Sequence, residues 1–253
     1  MCGLIAMLLT PCQRTTAEWQ AIREIISRAL LANEERGTSA TGLALLGANG
    51  EAVLEKKAVR ASEFIKTPEY QSILGKINEQ TTLILGHTRL PTKGDPASSN
   101  NNHPICIDPV IGVHNGHINN DDALFEKFGF RRQAEVDSEI IFHMLGTIDP
   151  RSSNPEFIRG ARNCIQLLDG QFTFMACDKR RPEQLLVVRH NNPLWHYYER
   201  ELHALIFSSR YIFLRTEFRV SSLTHELRNN YLALFNAHEL PRLKSQPEEA
   251  ASF

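Results

Sequence analysis

Residues 1–9 read Met1-Cys2-Gly3-Leu4-Ile5-Ala6-Met7-Leu8-Leu9, and their reading decides what kind of fold to expect. Leu4 to Leu9 is an unbroken apolar run of strand length, which predicts a buried β-strand. It is too short for a membrane-spanning helix, and no basic region precedes it as a signal peptide would require. Cys2, directly ahead of the run, has two readings. In the plainer one it is a small apolar residue that begins the strand. In the other, removal of Met1, which a small second residue permits, leaves a thiol and a free α-amine on one residue. An α-amine has a pKa of about 7.7–8.0, so near neutral pH it is a usable base beside a nucleophile.

The bulk composition narrows the choice of partner. The chain has 253 residues, 42% of them hydrophobic, with 28 Lys and Arg against 29 Asp and Glu. This length suits one domain, and no Pro/Gly/Ser-rich linker or abrupt charge shift divides it. The even charge balance gives no electrostatic reason to expect nucleic acid or an anionic membrane as a partner. A cytoplasmic protein is the expectation. Cys2, Cys12, Cys106, Cys164 and Cys177 are odd in number and contain no C-x-x-C pair, which fits neither a disulfide framework nor a zinc cluster. Neither common Gly-rich phosphate loop occurs, so no nucleotide cofactor is expected.

Outward from the first strand, Thr15-Thr16-Ala17-Glu18 forms a capping box. Trp19, Ile22, Ile25, Ile26, Ala29 and Leu30 then recur at helical spacing, predicting a helix over 17–36. Residues 41–59 read as two strands folded about Ala48-Asn49-Gly50. "TTLILGHTR" (81–89) and "PVIGVHNG" (109–116) are further strands that run straight into polar residues. Helical patterns occupy about 120–128, 137–147 and 155–168, and strands return over 171–178, 183–190, 194–199, 201–209 and 231–236. Two blocks of strands separated by helices predict an α+β fold with antiparallel sheets covered by helices. Residues 241–253 are polar and aperiodic and read as a frayed tail.

Four of the ten histidines, His87, His103, His114 and His117, fall between residues 86 and 117. No carboxylate or cysteine stands at familiar ligand spacing beside them, so no metal is expected. A site for a free amino acid with a side-chain amide accounts for the same stretch better. Arg89, just past a strand end, offers a planar fork for an α-carboxylate, and Thr92 and His103 add donors. Asp137 is an anion suited to the α-ammonium. Asn115 has a side-chain NH₂ and Gly116 an approachable N–H, together a pair of donors for the oxyanion that thiolate attack on an amide creates. Each residue also has an ordinary alternative: a surface ion pair for Arg89, a helix N-cap for Asp137, a turn for Asn115-Gly116. It is their co-occurrence with Cys2 that favours the catalytic reading.

"MCGLIA" (1–6), "ERGTSATGLALL" (35–46), "GHTRLPTKGDP" (86–96), "NNNHP" (100–104), "GVHNGHINN" (112–120), "VDSEIIFHML" (136–145) and "LLDGQFTFMACD" (167–178) occur in that order. As a set they resemble the glutaminase domain of class II glutamine amidotransferases, which are N-terminal-nucleophile (Ntn) hydrolases. The resemblance runs from residue 2 to about 215 and on toward 240. It implies a four-layer αββα sandwich, with Cys2 as nucleophile and, through its amine, general base. It also implies that Arg89, Thr92 and His103 hold the glutamine carboxylate, that Asp137 and Gly116 hold the amine, and that Asn115 with Gly116 receives the oxyanion. Arg36 to Gly42 would be the loop behind Cys2. Leu90 stands where glucosamine synthases carry tryptophan, a departure at the loop Leu90 to Pro96, which reads as a lid.

The leading expectation is therefore a glutaminase that hydrolyses L-glutamine through a thioester at Cys2 and passes ammonia to a separate synthase or synthetase chain. Two alternatives stand beside it: a stand-alone Ntn amidohydrolase acting on another small amide, and a non-catalytic glutamine-sensing module.

Overall fold

A computed structural model describes residues 1–219 and 225–253. The chain begins with β1 (Gly3–Leu9), α1 (Thr16–Asn33), β2 (Ala40–Gly47), β3 (Ala52–Lys57), α2 (Ala61–Phe64), α3 (Pro68–Gly75) and β4 (Thr81–Arg89). It continues through β5 (Ile105–Ile107), β6 (Val110–Ile118), α4 (Asp121–Phe128), α5 (Glu139–Gly146) and α6 (Asn154–Ile165). Then follow β7 (Gly170–Asp178), β8 (Gln184–His190), β9 (Trp195–Glu199), β10 (Ala204–Ser208) and α7 (Tyr211–Glu217). The chain closes with β11 (His225–Glu226), β12 (Tyr231–Asn236), α8 (Leu240–Leu243) and β13 (Glu249–Ser252).

The strands form two antiparallel sheets, ordered β11-β9-β10-β1-β4-β2-β3 and β13-β12-β8-β7-β6-β5. Side chains alternate between the faces of a strand, and that alternation sorts β1. Ile5, Met7 and Leu9 pack with Trp19, Ile22 and Ile26 of α1, while Leu4, Ala6 and Leu8 enter the layer between the sheets. Both faces are covered, which is why β1 is apolar at every position from Leu4 on. In the second sheet Met175 and Cys177 of β7 join the middle layer, and Phe172, Phe174 and Ala176 pack beneath α5 and α6. The result is the four-layer αββα sandwich expected from the sequence.

The same alternation makes the site. Leu83 and Leu85 of β4 point between the sheets, as do Ile111 and Val113 of β6. Continuing each series brings Cys2, His87 and Asn115 toward one end of the middle layer, where apolar packing gives way to polar side chains.

α1 begins as expected: Thr15 Oγ1 accepts from Glu18 N at 3.2 Å, and Glu18 returns a carboxylate to Thr15 N. It ends at Asn33 rather than 36, because Glu34–Arg36 tighten into a single 3₁₀ turn from which Arg36 reaches back to Cys2. Residues 241–253 are no frayed tail. Glu249–Ser252 pairs with β12, and Phe253 lies on the outer face of the second sheet with its ring 6.3 Å from Phe172. Short local alternation in a polar stretch carries too little signal to reveal an edge strand. Among the described residues no helix is long and apolar enough to cross a membrane.

Candidate active site

Cys2 is held from three sides. Its backbone N–H donates to Asn115 Oδ1 at 2.8 Å, its carbonyl accepts from Arg36 Nε at 3.0 Å, and its Sγ lies 3.4 Å from both the N and the O of Leu90. Gly3 follows because no side chain fits there: a Cβ would stand 2.3 Å from Thr88 Oγ1. Burial pushes the Cys2 thiol above its ordinary range. The Leu90 N–H, the N-terminal ammonium, Arg89 and Arg36 pull it back only in part. The resting sulfur is therefore a protonated thiol, and it needs a base to become a nucleophile.

Cys2, Arg89, Leu90, Thr92, Lys93, His103, His114, Gly116, Val136, Asp137 and Ser138 line one small cleft. Six of the seven residues singled out from the sequence are thus among its walls, and the seventh, Asn115, adjoins them through its bond to Cys2.

Asn115 and Gly116 lie inside β6, not in a turn. Asn115 is buried, and its Nδ2 has no hydrogen-bond partner among the described residues. Gly116 has φ 139°, and a Cβ there would meet Gln171 O at 1.9 Å, so only glycine fits. Main-chain groups along β6 alternate in direction. Asn119 N turns to Asp169 O, and Gly112 pairs with Ile105 of β5. Ile118 N is taken by Asp137 Oδ2 at 2.6 Å. By that alternation the Gly116 N–H points to the edge of β6 away from β7. Among the described residues no strand lies beside that edge beyond Gly112, because β5 begins at Ile105. It is an open stretch of strand edge facing the cleft.

Asp137 does not cap a helix. Ser138 occupies the cap position of α5 without a side-chain cap bond, and one Asp137 oxygen is committed to Ile118. Arg89 is no surface ion pair either: it is 3% exposed. Its Nη1 donates to Asn102 Oδ1 at 2.7 Å, and its Nη2 donates to the carbonyls of Lys93 and Gly94 at 2.7 and 2.8 Å. Part of the fork therefore holds the loop Leu90–Pro96, leaving the Nε–H and one Nη1–H. Thr92 is exposed on that loop. His103 is buried, stacked at 4.4 Å on His87, and neither ring nitrogen has a partner among the described residues. Burial holds His103 well below the ordinary histidine range, lowers His114 and brings His87 to about 3, so all three rings are neutral.

Several residues that hold the site were not evident from the sequence. Lys56 Nζ donates to the carbonyls of Asn102 and Pro104, on either side of His103, at 2.8 and 3.1 Å. Lys93 and Arg132 both meet Asp121 Oδ2, at 2.7 and 2.6 Å, tying the loop to α4. Asn102 Nδ2 reaches Pro96 O at 2.7 Å, and Ser138 Oγ lies 2.7 Å from His114 Nδ1. The asparagine run before His103 was the only visible hint. Among the described residues no group of His, Cys, Asp and Glu is placed to hold a metal.

A family described as "Glutamine amidotransferase domain" matches residues 87–216. The chain is 29% identical over 199 residues to the glutamine–fructose-6-phosphate aminotransferase (isomerizing) of Buchnera aphidicola, a match covering 77% of this chain and 30% of that protein. It is 27% identical over 257 residues to the enzyme of the same name from Yersinia pseudotuberculosis, covering 97% and 39%. The chain thus spans well under half the length of these curated relatives. Among solved structures, the glutamine phosphoribosylpyrophosphate amidotransferase of B. subtilis superposes with a TM-score of 0.69 at 17% identity, over 99% of this chain and 49% of that one. A glutamine aminotransferase class-II domain protein from Silicibacter pomeroyi superposes at 0.59 and 15% identity, over 100% and 98%. The structural likenesses speak for the sandwich alone, and the family match covers the end of the strand that carries Arg89, the strand that carries Asn115-Gly116, and Asp137. The chain belongs to the glutamine amidotransferase domain family, in its class II, N-terminal-nucleophile form.

Proposed function

We propose that this chain hydrolyses L-glutamine to glutamate and ammonia through a γ-glutamyl thioester at Cys2, and that the ammonia passes to an acceptor enzyme on a separate chain. The observation that carries the reading is the Asn115 amide. Its oxygen fixes the nitrogen of Cys2, while its buried NH₂ group has no partner among the described residues. A buried donor left unpaired costs about 1–3 kcal/mol, and an oxyanion formed beside it would satisfy it.

Once Met1 is removed, the Cys2 nitrogen becomes an amine already positioned by Asn115. It takes the proton of the buried thiol as Sγ bonds to the side-chain amide carbon of glutamine. The carbonyl π electrons move onto oxygen, which Asn115 Nδ2 and the Gly116 N–H receive. Collapse breaks the C–N bond, and the ammonium returns its proton to the leaving nitrogen. Water, deprotonated by the same amine, then adds to the thioester carbon; the C–S bond breaks, glutamate leaves, and the ammonium returns the proton to Sγ. The remaining Arg89 donors, Thr92 and His103 hold the α-carboxylate, and Asp137 holds the α-ammonium. The unpartnered ring of His103 supports this assignment, since a buried polar atom without a protein partner calls for an explanation and a bound carboxylate would supply one.

The test is ammonia release from glutamine by the purified chain, its Cys2→Ala variant and mixtures with candidate acceptor enzymes of the same cell. Cys2→Ala should release none, and the cognate acceptor with its substrate should raise the rate of the parent. Turnover by Cys2→Ala would end the proposal. Full activity that no acceptor alters would favour a stand-alone amidohydrolase.

A further inference from the structure

Asn192 lies in the loop after β8 and has no place in the reaction as described above. It is 8% exposed, and its Nδ2 donates to the backbone carbonyl of Asn115 at 3.0 Å. That carbonyl belongs to the same peptide group as the Gly116 N–H. In a trans peptide the C=O and N–H point in opposite directions, so the carbonyl faces β7 while the N–H faces the cleft. A carbonyl oxygen has two lone pairs, and the Asn192 bond can add to the strand ladder without displacing it.

We propose that Asn192 is a positioning residue for the oxyanion site, acting through the Asn115-Gly116 peptide. Drawing electron density toward the carbonyl oxygen makes the N–H on the far side of the same peptide a stronger donor, as in any chain of linked hydrogen bonds. The bond also fixes the plane of the peptide, and with it the direction of the N–H. A glycine with φ 139° has the freedom to rotate, so an external restraint matters more here than at an ordinary strand residue.

Asn192 is itself held in place. Its own carbonyl accepts from Thr173 Oγ1 at 2.7 Å and from Arg189 Nε at 3.2 Å. Arg189 is anchored in turn on the carbonyl of Leu227 and on Glu226, whose Oε1 is 2.7 Å from Nη2. Asn191, just before, sits at φ 73°, a left-handed conformation that asparagine tolerates, and its N–H is bound by Asn229 Oδ1 at 2.6 Å. A side chain this restrained is suited to orienting another group. On the other edge of β6, His87 Nε2 lies 3.0 Å from His114 O, so two successive peptides of this segment carry a side-chain contact.

The inference rests on the proposed reaction at Cys2, and its test separates the two. Asn192→Asp preserves shape but removes the donor, and Asn192→Ala removes the side chain. Both should lower kcat for glutamine by about three- to tenfold, the range of one net hydrogen bond, with KM unchanged. A glutamate-γ-semialdehyde inhibitor, whose adduct with Cys2 places an oxyanion in the site, should lose affinity in parallel with kcat, while L-glutamate should not. A purely structural role would move KM and glutamate affinity as well. Independently of turnover, the Gly116 amide proton should shift upfield in both variants of ¹⁵N-glycine-labelled protein, with glycines far from β6 unmoved. A parent chain that fails to hydrolyse glutamine would count against the proposed reaction alone, and the Gly116 shift would still decide the role of Asn192. An unmoved Gly116 resonance, or an unchanged kcat in folded Asn192→Asp, would overturn the inference.

Discussion

Strand β6 and the loop Leu90–Pro96 face each other across the same cleft, yet they are held by different forces. Around Asn115, β6 is fixed by buried neutral groups: His87 at the carbonyl of His114, Asn192 at that of Asn115, and the ladder to β7. Buried contacts of this kind are little affected by salt. The loop is fixed by charge. Lys93 meets Asp121 at 2.7 Å with 41% of its side chain exposed, and Arg89 grips two loop carbonyls from beneath. The difference teaches a division of labour. A floor that must present donors at fixed positions is built from groups that cannot relax. A wall that must admit substrate is built from contacts that water and ions can compete for.

Asn115→Ala should break the floor most severely. Loss of one oxyanion donor costs on the order of 10²–10³ in kcat, and KM for glutamine should stay close to the parent value. Comparable changes in both constants would mean that Asn115 binds the ground state. Arg89→Lys tests the point where floor and wall join. It keeps the charge but loses the planar fork, so KM should rise about ten- to hundredfold while kcat falls far less, and initial-rate kinetics will tell. Identical kinetic patterns for these two variants would erase the distinction between floor and wall.

Acid should find the floor before the wall. His87, His103 and His114 are kept neutral by burial, His87 down to about 3, whereas in the unfolded chain each protonates near its ordinary pKa of about 6.5. A base whose folded pKa is depressed leaves stability intact above its unfolded pKa and removes it as pH falls below. Each ring should therefore cost about 1.4 kcal/mol per pH unit below roughly pH 6.5, until its folded pKa is reached. Urea midpoints measured from pH 7.5 down to 5 should fall. A flat profile would show that the rings titrate normally.

The smallest effect belongs to the wall. Lys93→Ala removes a half-exposed ion pair of the kind worth up to about 1 kcal/mol, so KM should rise about two- to fivefold at low ionic strength, and the difference should shrink at about 0.5 M salt. A salt-independent change would mean that Lys93 contacts the substrate directly.

What the sequence revealed follows the same line. β1, β4 and β12 were legible almost to the residue because their apolar runs are dictated by burial on both faces. Cys2, Arg89, His103, Gly116 and Asp137 were legible as chemical types at strand and helix ends, and they do line one cleft. The supporting contacts were not legible. Asn192 reaches Asn115 across 77 positions and Lys93 reaches Asp121 across 28, and nothing local marks either partner. The strand at Glu249–Ser252 was missed for a related reason. It is completed by β12 and by Phe253 lying on Phe172, not by any pattern of its own.

The most direct test is to ask which sulfur carries the reaction and whether Met1 must leave first. Protein isolated from cells is treated with a diazoketone analogue of glutamine, and the labelled peptides are mapped by mass spectrometry in chains with and without Met1. Label should appear on Cys2, only in chains that have lost Met1, and L-glutamine should protect against it. Label on Cys106 or Cys164, or equal labelling of chains that retain Met1, would contradict a reaction built on the thiol and amine of one residue.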